Sequence, residues 1–204
     1  MLGSLKFCVL TAGVGLLAAG CCENRHDKAA AAAAPAGHNH AVLAAAEMGA
    51  DVKEAVAVLH GTTGNEKVMG VIRFSDTGSG VKVSGEIMGL EPNSKHGFHI
   101  HEFGDCSDMA KATSAGGHYN PDKHQHGAPG AMSHVGDMGN VEADAAGTAK
   151  VDVTLTDASI MGKNAILGRG VILHAKVDDL TSQPAGNAGD RVACAVIGVA
   201  QVKK

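Results

Sequence analysis

Aromatic residues are scarce in this chain of 204 residues, which has no tryptophan, one tyrosine and four phenylalanines. The volume of a core must therefore come mainly from valine, isoleucine, leucine, alanine and methionine. Hydrophobic residues make up 45% of the sequence, which is enough for one sizeable core in a single domain. Glycine is frequent, with 28 residues, and so many glycines favour turns and short strands over long helices.

An excess of positive charge is also absent. The chain has 17 Lys and Arg residues against 21 Asp and Glu residues, and its formal net charge is -4 at pH 7. A surface that binds nucleic acid needs a basic patch or stripe, and the body of the sequence contains no basic block. The composition therefore excludes nucleic acid as the expected partner.

The apolar run near the N-terminus, residues 7–19, is too short to span a bilayer comfortably. It follows a single positive charge at Lys6 and ends in small residues, a pattern that is typical of an export signal. The sequence therefore predicts a signal peptide over residues 1–20 and a location in the periplasm or cell envelope.

Residues 17–21, Leu-Ala-Ala-Gly-Cys, resemble a bacterial lipobox, in which the cysteine after the cut receives lipid. A leucine is commoner than alanine at the position of Ala18, three residues before Cys21, and a plain secretory cut is the alternative. The resemblance predicts a lipoprotein that is attached to a membrane through lipid on Cys21.

Residues 21–50 are rich in Ala, Pro, Gly, Asn and His, and they include six consecutive alanines at 29–34. Pro35 and Gly37 follow these alanines, and no apolar period supports a packed element. We predict a tether over residues 21–50 and a domain over residues 51–204.

The predicted domain contains eight short strand-like runs and no long amphipathic pattern. Clusters of Gly, Asn, Asp and Pro separate the runs at roughly hairpin spacing, so an antiparallel β-sandwich or β-barrel is the expected fold class. Two long loops, residues 104–137 and 177–190, interrupt the runs, and loops of that length usually carry function. The runs are residues 54–60, 68–75, 81–88, 95–102, 141–145, 149–155, 171–176 and 192–202.

Histidines are concentrated in one part of the chain, since seven of the 12 lie between residues 96 and 134. If a strand passes through this region, its period of two places His99 and His101 on one face and Phe98 and Ile100 on the other. Exposed strand histidines are the alternative. Imidazoles at this density, with Asp137 nearby, indicate a metal site.

Several separate blocks of the sequence stand out: Gly-Phe-His-Ile-His-Glu-Phe-Gly-Asp at residues 97–105, Gly-Gly-His-Tyr-Asn-Pro at 116–121, His-Val-Gly-Asp at 134–137, and Gly-Asn-Ala-Gly with Arg-Val-Ala-Cys within 186–194. Together they closely resemble copper/zinc superoxide dismutase. The likeness covers about residues 53–203, and together with the export signal it indicates the exported bacterial type. It implies an eight-stranded antiparallel Greek-key β-barrel with two long functional loops.

The resemblance implies two metal sites that share one histidine. Four imidazoles suit Cu(II), and three imidazoles with a carboxylate suit a closed tetrahedral zinc site. A further carboxylate, Asp178, corresponds to the family's residue that orients ligands of both metals. The implied copper ligands are His99, His101, His118 and His174, and the implied zinc ligands are His118, His126, His134 and Asp137.

The activity that the resemblance implies is the dismutation of superoxide to oxygen and hydrogen peroxide. Copper is alternately reduced and reoxidised, zinc is structural, and His118 bridges the two metals and carries a proton. Arg191 corresponds to the cation that docks the anionic substrate, with an ordinary surface arginine as the alternative. A non-catalytic copper- or zinc-binding module, or a metal carrier of the same fold, is the alternative function.

The resemblance gives two further expectations and one departure. The family's intradomain disulfide is implied between Cys106 and Cys194. Residues 181–188 depart from the eukaryotic branch, because they carry no charge where that branch has lysine and glutamate. By analogy with the bacterial branch, Lys111 is a candidate for substrate steering, with a solvated loop lysine as the alternative. The sequence does not determine the oligomeric state, and a homodimer is one of the states that it leaves open.

Overall fold

The computed structural model of the chain describes residues 52–130 and 132–201. The predicted signal peptide at residues 1–20, the predicted tether at residues 21–50 and the lipidation site Cys21 lie outside the described residues, so they stay predictions. In the described part of the chain, no helix has both the length and the apolar character that crossing a membrane requires.

Nine β-strands and one 3-10 turn make up the regular structure of the described residues. Buried and exposed side chains alternate along the strands because successive residues face opposite sides. In β1, for example, Ala55, Ala57 and Leu59 are buried, whereas Val58 and His60 are exposed. The strands are β1 (Glu54–Gly61), β2 (Met69–Asp76), β3 (Val81–Met88), β4 (Lys95–His101), β5 (Asp137–Glu142), β6 (Ala149–Leu155), β7 (Gly170–His174), β8 (Arg191–Val196) and β9 (Gly198–Val199), and the turn is Thr113–Ala115.

The strands form one antiparallel sheet in the order β5-β4-β7-β8-β1-β2-β3-β6, with β9 paired to β1. The connections from β3 to β4 and from β6 to β7 join strands that are not neighbours, as a Greek key requires. The end strands β5 and β6 are consecutive in the chain, and a bridge between Ala143 and Ala149 joins them at their turn. The sheet is therefore a nearly closed barrel, and the predicted eight-stranded Greek-key fold is confirmed with β9 as a short addition.

Two strands differ from the sequence prediction. β5 begins at Asp137 rather than at residue 141, because its pairing with β4 continues until Asp137 lies opposite His99. The run predicted at residues 192–202 is divided into β8 and β9, because the backbone N–H and C=O of Ile197 bond to the loop before β7. The first difference matters for the site, since it places Asp137 beside a predicted ligand on β4.

The strand β4 is buried on both faces. Phe98 and Ile100 belong to the barrel core, which is otherwise built mainly from aliphatic side chains. His99 and His101 lie on the opposite face, and they are 0% and 1% exposed. Side chains on the outer face of a barrel are buried only when other segments cover them, and here the loops at residues 102–136 and 175–190 provide that cover.

The implied disulfide between Cys106 and Cys194 is confirmed, with a Cα–Cα distance of 5.9 Å. It joins the loop that follows β4 to β8. Cys194 packs with Ala112, Ala115 and Ile172 in a small apolar cluster, to which the partly buried Cys106 is joined. The bond therefore fixes one end of the cover that lies over the histidines of β4.

Replacing Cys106 with serine should lower the free energy of unfolding by about 4 to 5 kcal/mol. The two cysteines are 88 positions apart, and in the chain-entropy model the contribution of a disulfide grows with the length of the loop that it closes. Urea unfolding of the oxidised wild type and the Cys106→Ser variant measures the difference. The Cys194→Ser variant is the control and should lose at least as much, because serine there also places a hydroxyl in the apolar cluster; wild-type stability in both variants would contradict the prediction.

Candidate metal centre

Four histidines converge on the outer face of the barrel, and we call them the four-histidine group. His99 and His101 come from β4, and His174 is the last residue of β7, which pairs with β4. His118 follows the 3-10 turn and forms an isolated bridge with His101. One ring nitrogen from each of the four lies within 4.8 Å of the others, and all four residues are buried.

A second cluster, the three-histidine–aspartate group, consists of His118, His126, His134 and Asp137. The Nδ1 atoms of the three histidines lie 2.9, 3.1 and 3.3 Å from Asp137 Oδ1, in the order given. All four residues are buried. Three imidazole nitrogens and one carboxylate at such distances make the donor set of a tetrahedral zinc site.

His118 belongs to both groups and separates them by the width of one ring. Its Nδ1 bonds to Asp137 Oδ1, which leaves Nε2 as the ring nitrogen available to the four-histidine group. Nε2 is buried without a hydrogen-bond partner among the described residues, and so are His99 Nδ1, His126 Nδ1 and His134 Nδ1. Buried polar atoms are rarely left unsatisfied, so these orphaned nitrogens fit metal ions as their partners.

The nitrogens on the far side of the rings are held by the protein. His101 Nδ1 donates to Gly116 O at 3.0 Å, and His174 Nδ1 donates to Gly189 O at 3.2 Å. His101 Nε2 and His174 Nε2 then face each other at 3.4 Å. A backbone carbonyl accepts only, so each of these bonds fixes the tautomer and aims the other nitrogen at the centre of the group.

Asp178, the predicted outer carboxylate, bonds to one histidine of each group. One of its carboxylate oxygens bonds to His99 Nε2 and the other to His126 Nε2, each at 2.8 Å. The side chain of Asn140 on β5 holds the backbone of Asp178, accepting from its N–H at 2.8 Å and donating to its C=O at 2.9 Å. Sequence reasoning missed Asn140, because a single asparagine in a strand carries no signal for such a contact.

Burial governs the protonation of the histidines. Removal from water lowers the pKa of His118 to about 4 and that of His174 to about 3, and it keeps the pKa of His101 well below its ordinary value. Burial raises the pKa of Asp137, but the hydrogen bond with His118 and the close approach of the His134 ring outweigh that effect and leave it below the usual range. Neutral imidazoles and an ionised carboxylate are the forms that bind metals.

The metal-free protein should lose stability as pH falls from 7 to 4. Imidazoles whose pKa is lower in the folded state than in the unfolded state bind fewer protons when folded, so acid favours unfolding. Stability from this source is complete above about pH 6.5, and it is lost progressively as the pH falls from there to the folded pKa values of His118 and His174, about 4 and about 3. We expect a loss of roughly 3 kcal/mol or more from these residues by pH 4.

Urea unfolding of the metal-free protein across this pH range measures the loss. The control is His124→Ala, which removes an exposed histidine outside both groups and should leave the pH dependence unchanged. A free energy of unfolding that stays constant between pH 7 and pH 4 would show that the buried histidines titrate normally.

Arg191, the first residue of β8, lies beside the four-histidine group. Its Nη1 and Nη2 atoms donate to Ala112 O and Gly116 O, each at 2.6 Å. Gly116 O also accepts from His101 Nδ1, so one carbonyl contacts both the guanidinium and a predicted copper ligand. Gly116 has a φ of 74°, and a Cβ there would lie 2.7 Å from the ring of Phe103; only glycine can present its carbonyl in this way.

A cleft of about 430 Å³ lies next to Arg191. Lys111 and Asp190 also line it, so the candidate steering lysine and the acidic neighbour of Arg191 both face the same space. Burial lowers the pKa of Arg191, and the negative charge of Asp108 opposes that effect. A guanidinium keeps its charge at neutral pH, so the cleft contains a fixed positive group that suits a small anion.

Two of the seven histidines between residues 96 and 134 belong to neither group. His96 is buried, and its Nδ1 donates to His174 O at 2.8 Å while its Nε2 bonds to Ser94 Oγ at 2.7 Å. His124 is exposed. The structure therefore brings together every residue that the sequence assigned to a metal and leaves these two outside.

Comparisons with known proteins agree with this geometry. A profile of copper/zinc superoxide dismutase matches residues 68–197. The Cu-Zn superoxide dismutase of Paramecium bursaria Chlorella virus 1 is 46% identical over 154 residues, which cover 72% of this chain and 79% of the relative. That of Schizosaccharomyces pombe is 46% identical over 155 residues, which cover 72% of this chain and 97% of the relative.

Two further matches come from an exported relative and a solved structure. The extracellular Cu-Zn superoxide dismutase of Brugia pahangi is 39% identical over 172 residues, which cover 79% of this chain and 84% of the relative. The crystal structure of the clock protein EA4 matches with a TM-score of 0.66 and 40% identity, and covers 72% of this chain and 95% of the other. The profile match at residues 68–197 includes both ligand groups. The chain belongs to the copper/zinc superoxide dismutase family.

Proposed function

We propose that this chain catalyses the dismutation of superoxide to oxygen and hydrogen peroxide, with copper in the four-histidine group and zinc in the three-histidine–aspartate group. The observation that carries the proposal is His118, which contributes one ring nitrogen to each group. A metal carrier needs neither a shared histidine nor a guanidinium fixed beside the ligands. The carrier alternative is therefore not favoured.

Three of the four histidines in the four-histidine group are held by hydrogen bonds on the side of the ring that faces away from the group. Copper, when bound, supplies two oxidation states that differ by one electron, so one superoxide can be oxidised and the next reduced. Asp178, Gly116 and Gly189 hold the far nitrogens of the copper ligands, which limits reorganisation between the two half-reactions. His118 Nε2 is the atom placed to take up and release a proton, because the other nitrogen of the same ring belongs to the three-histidine–aspartate group.

Arg191 binds the substrate anion in this scheme. Its guanidinium is anchored by two carbonyls, of which one also orients His101. Only two of the five guanidinium N–H groups serve in these two bonds, so others remain to contact an oxygen of superoxide. The zinc site is closed by four protein donors, which suits a structural role rather than a catalytic one.

Turnover of superoxide tests the proposal. The chain loaded with copper and zinc is mixed with a large molar excess of superoxide, and the zinc-only chain serves as the control. We expect many equivalents of superoxide to be consumed per copper, and none beyond the uncatalysed rate in the control. A copper carrier would consume about one equivalent and stop, and that result would contradict the proposal.

Export and lipid attachment extend the proposal. The signal peptide at residues 1–20 delivers the domain to the periplasm or cell envelope, and lipid on Cys21 anchors it through the tether at residues 21–50. The name of the extracellular relative from Brugia pahangi supports export. Mass spectrometry of the mature protein should find a diacylated Cys21 at the N-terminus; an unmodified N-terminus at another residue would remove the lipoprotein assignment.

The proposal also includes an oligomeric state, the homodimer. Phe103, Val196 and Val199 are 58%, 43% and 48% exposed, and these apolar side chains would gain from contact with a second copy. Sedimentation velocity of the metal-loaded protein should show twice the monomer mass. A monomer at all concentrations would contradict this part of the proposal.

A further inference from the structure

The side-chain amide of Gln183 contacts both backbone groups of His126, a predicted zinc ligand. Gln183 Oε1 accepts from His126 N–H at 2.8 Å, and Gln183 Nε2 donates to His126 O at 3.0 Å. The two residues are 57 positions apart and lie in different loops. The amide therefore acts as a neighbouring peptide group does in a strand pair, and the loop at residues 177–190 holds the backbone of His126.

The same loop also fixes the ring of His126. The ring bonds through Nε2 to Asp178, while Nδ1 points toward Asp137. Gly186, with a φ of 63°, packs against the bond to Asp178: a Cβ there would lie 1.8 Å from Asp178 Oδ1 and 2.7 Å from His126 Nε2. The loop at residues 177–190 thus contacts both the backbone and the ring of one ligand.

Internal hydrogen bonds give this loop a defined shape. Asp179 accepts from Ser182 N–H at 2.8 Å and from Asn187 Nδ2 at 3.0 Å. Asn187 Nδ2 also donates to Ser182 Oγ at 2.8 Å. The uncharged residues 181–188 therefore form a folded support that presents the amide of Gln183 to His126.

We propose that Gln183 is a positioning residue for zinc retention. It holds the backbone of His126 in the conformation that aims Nδ1 at the three-histidine–aspartate group, so less conformational freedom is lost when zinc binds. It also makes zinc retention depend on the folded state of the loop at residues 177–190. This inference rests on the proposed assignment of zinc to that group.

The chain contains a matched control for Gln183. Asn120 makes the same pair of bonds to His124, accepting from His124 N–H and donating to His124 O, each at 2.9 Å. His124 belongs to neither metal group and lies two residues before His126. Asn120→Ala therefore removes an equivalent pair of bonds from the backbone of the loop that contains His126, and it does not touch a ligand.

Zinc release in excess EDTA tests the proposal. The chain loaded with copper and zinc is incubated with EDTA, and the remaining zinc is measured over time for the wild type, Gln183→Ala, Gln183→Glu and Asn120→Ala. We expect release to be about tenfold faster in Gln183→Ala, because two hydrogen bonds to His126 are lost. Gln183→Glu should be as fast, since its carboxylate cannot donate to His126 O, and Asn120→Ala should stay within about twofold of the wild type.

A second readout separates positioning of the ligand from general loop stability. Zinc raises the thermal unfolding midpoint by binding the folded state, and this increase should be smaller in Gln183→Ala than in Asn120→Ala. Equal release rates in the two alanine variants, or an equal loss of midpoint with and without zinc, would overturn the role of Gln183. A wild-type chain that held no zinc before EDTA was added would overturn the zinc assignment, and the role of Gln183 with it.

Discussion

Replacing His118 with alanine should damage both metal groups at once. The variant loses one donor from each group, and we expect its zinc affinity to fall by more than about 100-fold, since even partners outside the ligand set are worth 10 to 100-fold. Copper keeps His99, His101 and His174. Superoxide turnover should fall on the order of 100-fold, because the variant also lacks the nitrogen placed to carry a proton. Metal content by mass spectrometry and turnover on the same samples measure both effects.

The matched variant is His134→Ala, which removes a donor from the three-histidine–aspartate group alone. It should lose zinc and keep copper, and its turnover should fall much less than that of His118→Ala. His124→Ala removes an exposed histidine and should change neither metal. If His118→Ala kept zinc and wild-type turnover, the assignment of a shared ligand would be wrong.

Reversing the charge of Arg191 should slow the reaction of superoxide by one to two orders of magnitude. The substrate is an anion and the chain is net negative, with a formal charge of -4, so capture depends on a local positive field, an effect for which this enzyme family is an established example. Arg191 supplies a fixed cation beside the cleft. Pulse radiolysis gives the second-order rate constants of the wild type and Arg191→Glu.

Two control variants isolate the position of the charge. Arg73→Glu makes the same change of charge at an exposed site on β2, and it should alter the rate little. Arg191→Lys keeps the charge but loses the planar fork whose two nitrogens bond to Ala112 O and Gly116 O, so we expect a drop within about tenfold. Salt should slow the wild type, because screening limits the field to about 10 Å at 0.1 M. Equal rates for the wild type and Arg191→Glu would exclude a guiding role.

An antiparallel sandwich or barrel, and a shared face for two of the histidines, were predictable from the residue pattern alone, whereas the Greek-key barrel came from the resemblance to a family. Alternation along the strands indicates which face is buried, and the period of two is enough to place His99 and His101 together on β4. The assignment of the remaining ligands needed the resemblance to a family. Spacing along the chain does not show that His174 lies beside His101, because β7 and β4 are neighbours only in the folded sheet.

The supports around the ligands could not be predicted from the sequence. Asn140 and Asp178 are 38 positions apart, Gln183 and His126 are 57 apart, and the contact between Arg191 and Ala112 O spans 79 positions. Each contact pairs a side chain with a backbone group, and backbone groups are identical at every position of a sequence. Only the folded course of the two loops determines which carbonyl or N–H meets which side chain.

Anomalous X-ray diffraction tests the central claim, that one histidine joins a copper site to a zinc site. Crystals of the protein loaded with both metals are measured on either side of the copper and zinc absorption edges. We predict a copper peak within the four-histidine group, a zinc peak within the three-histidine–aspartate group, and the ring of His118 between them. The same metal in both groups, or a single peak with His118 bound at only one nitrogen, would contradict the account.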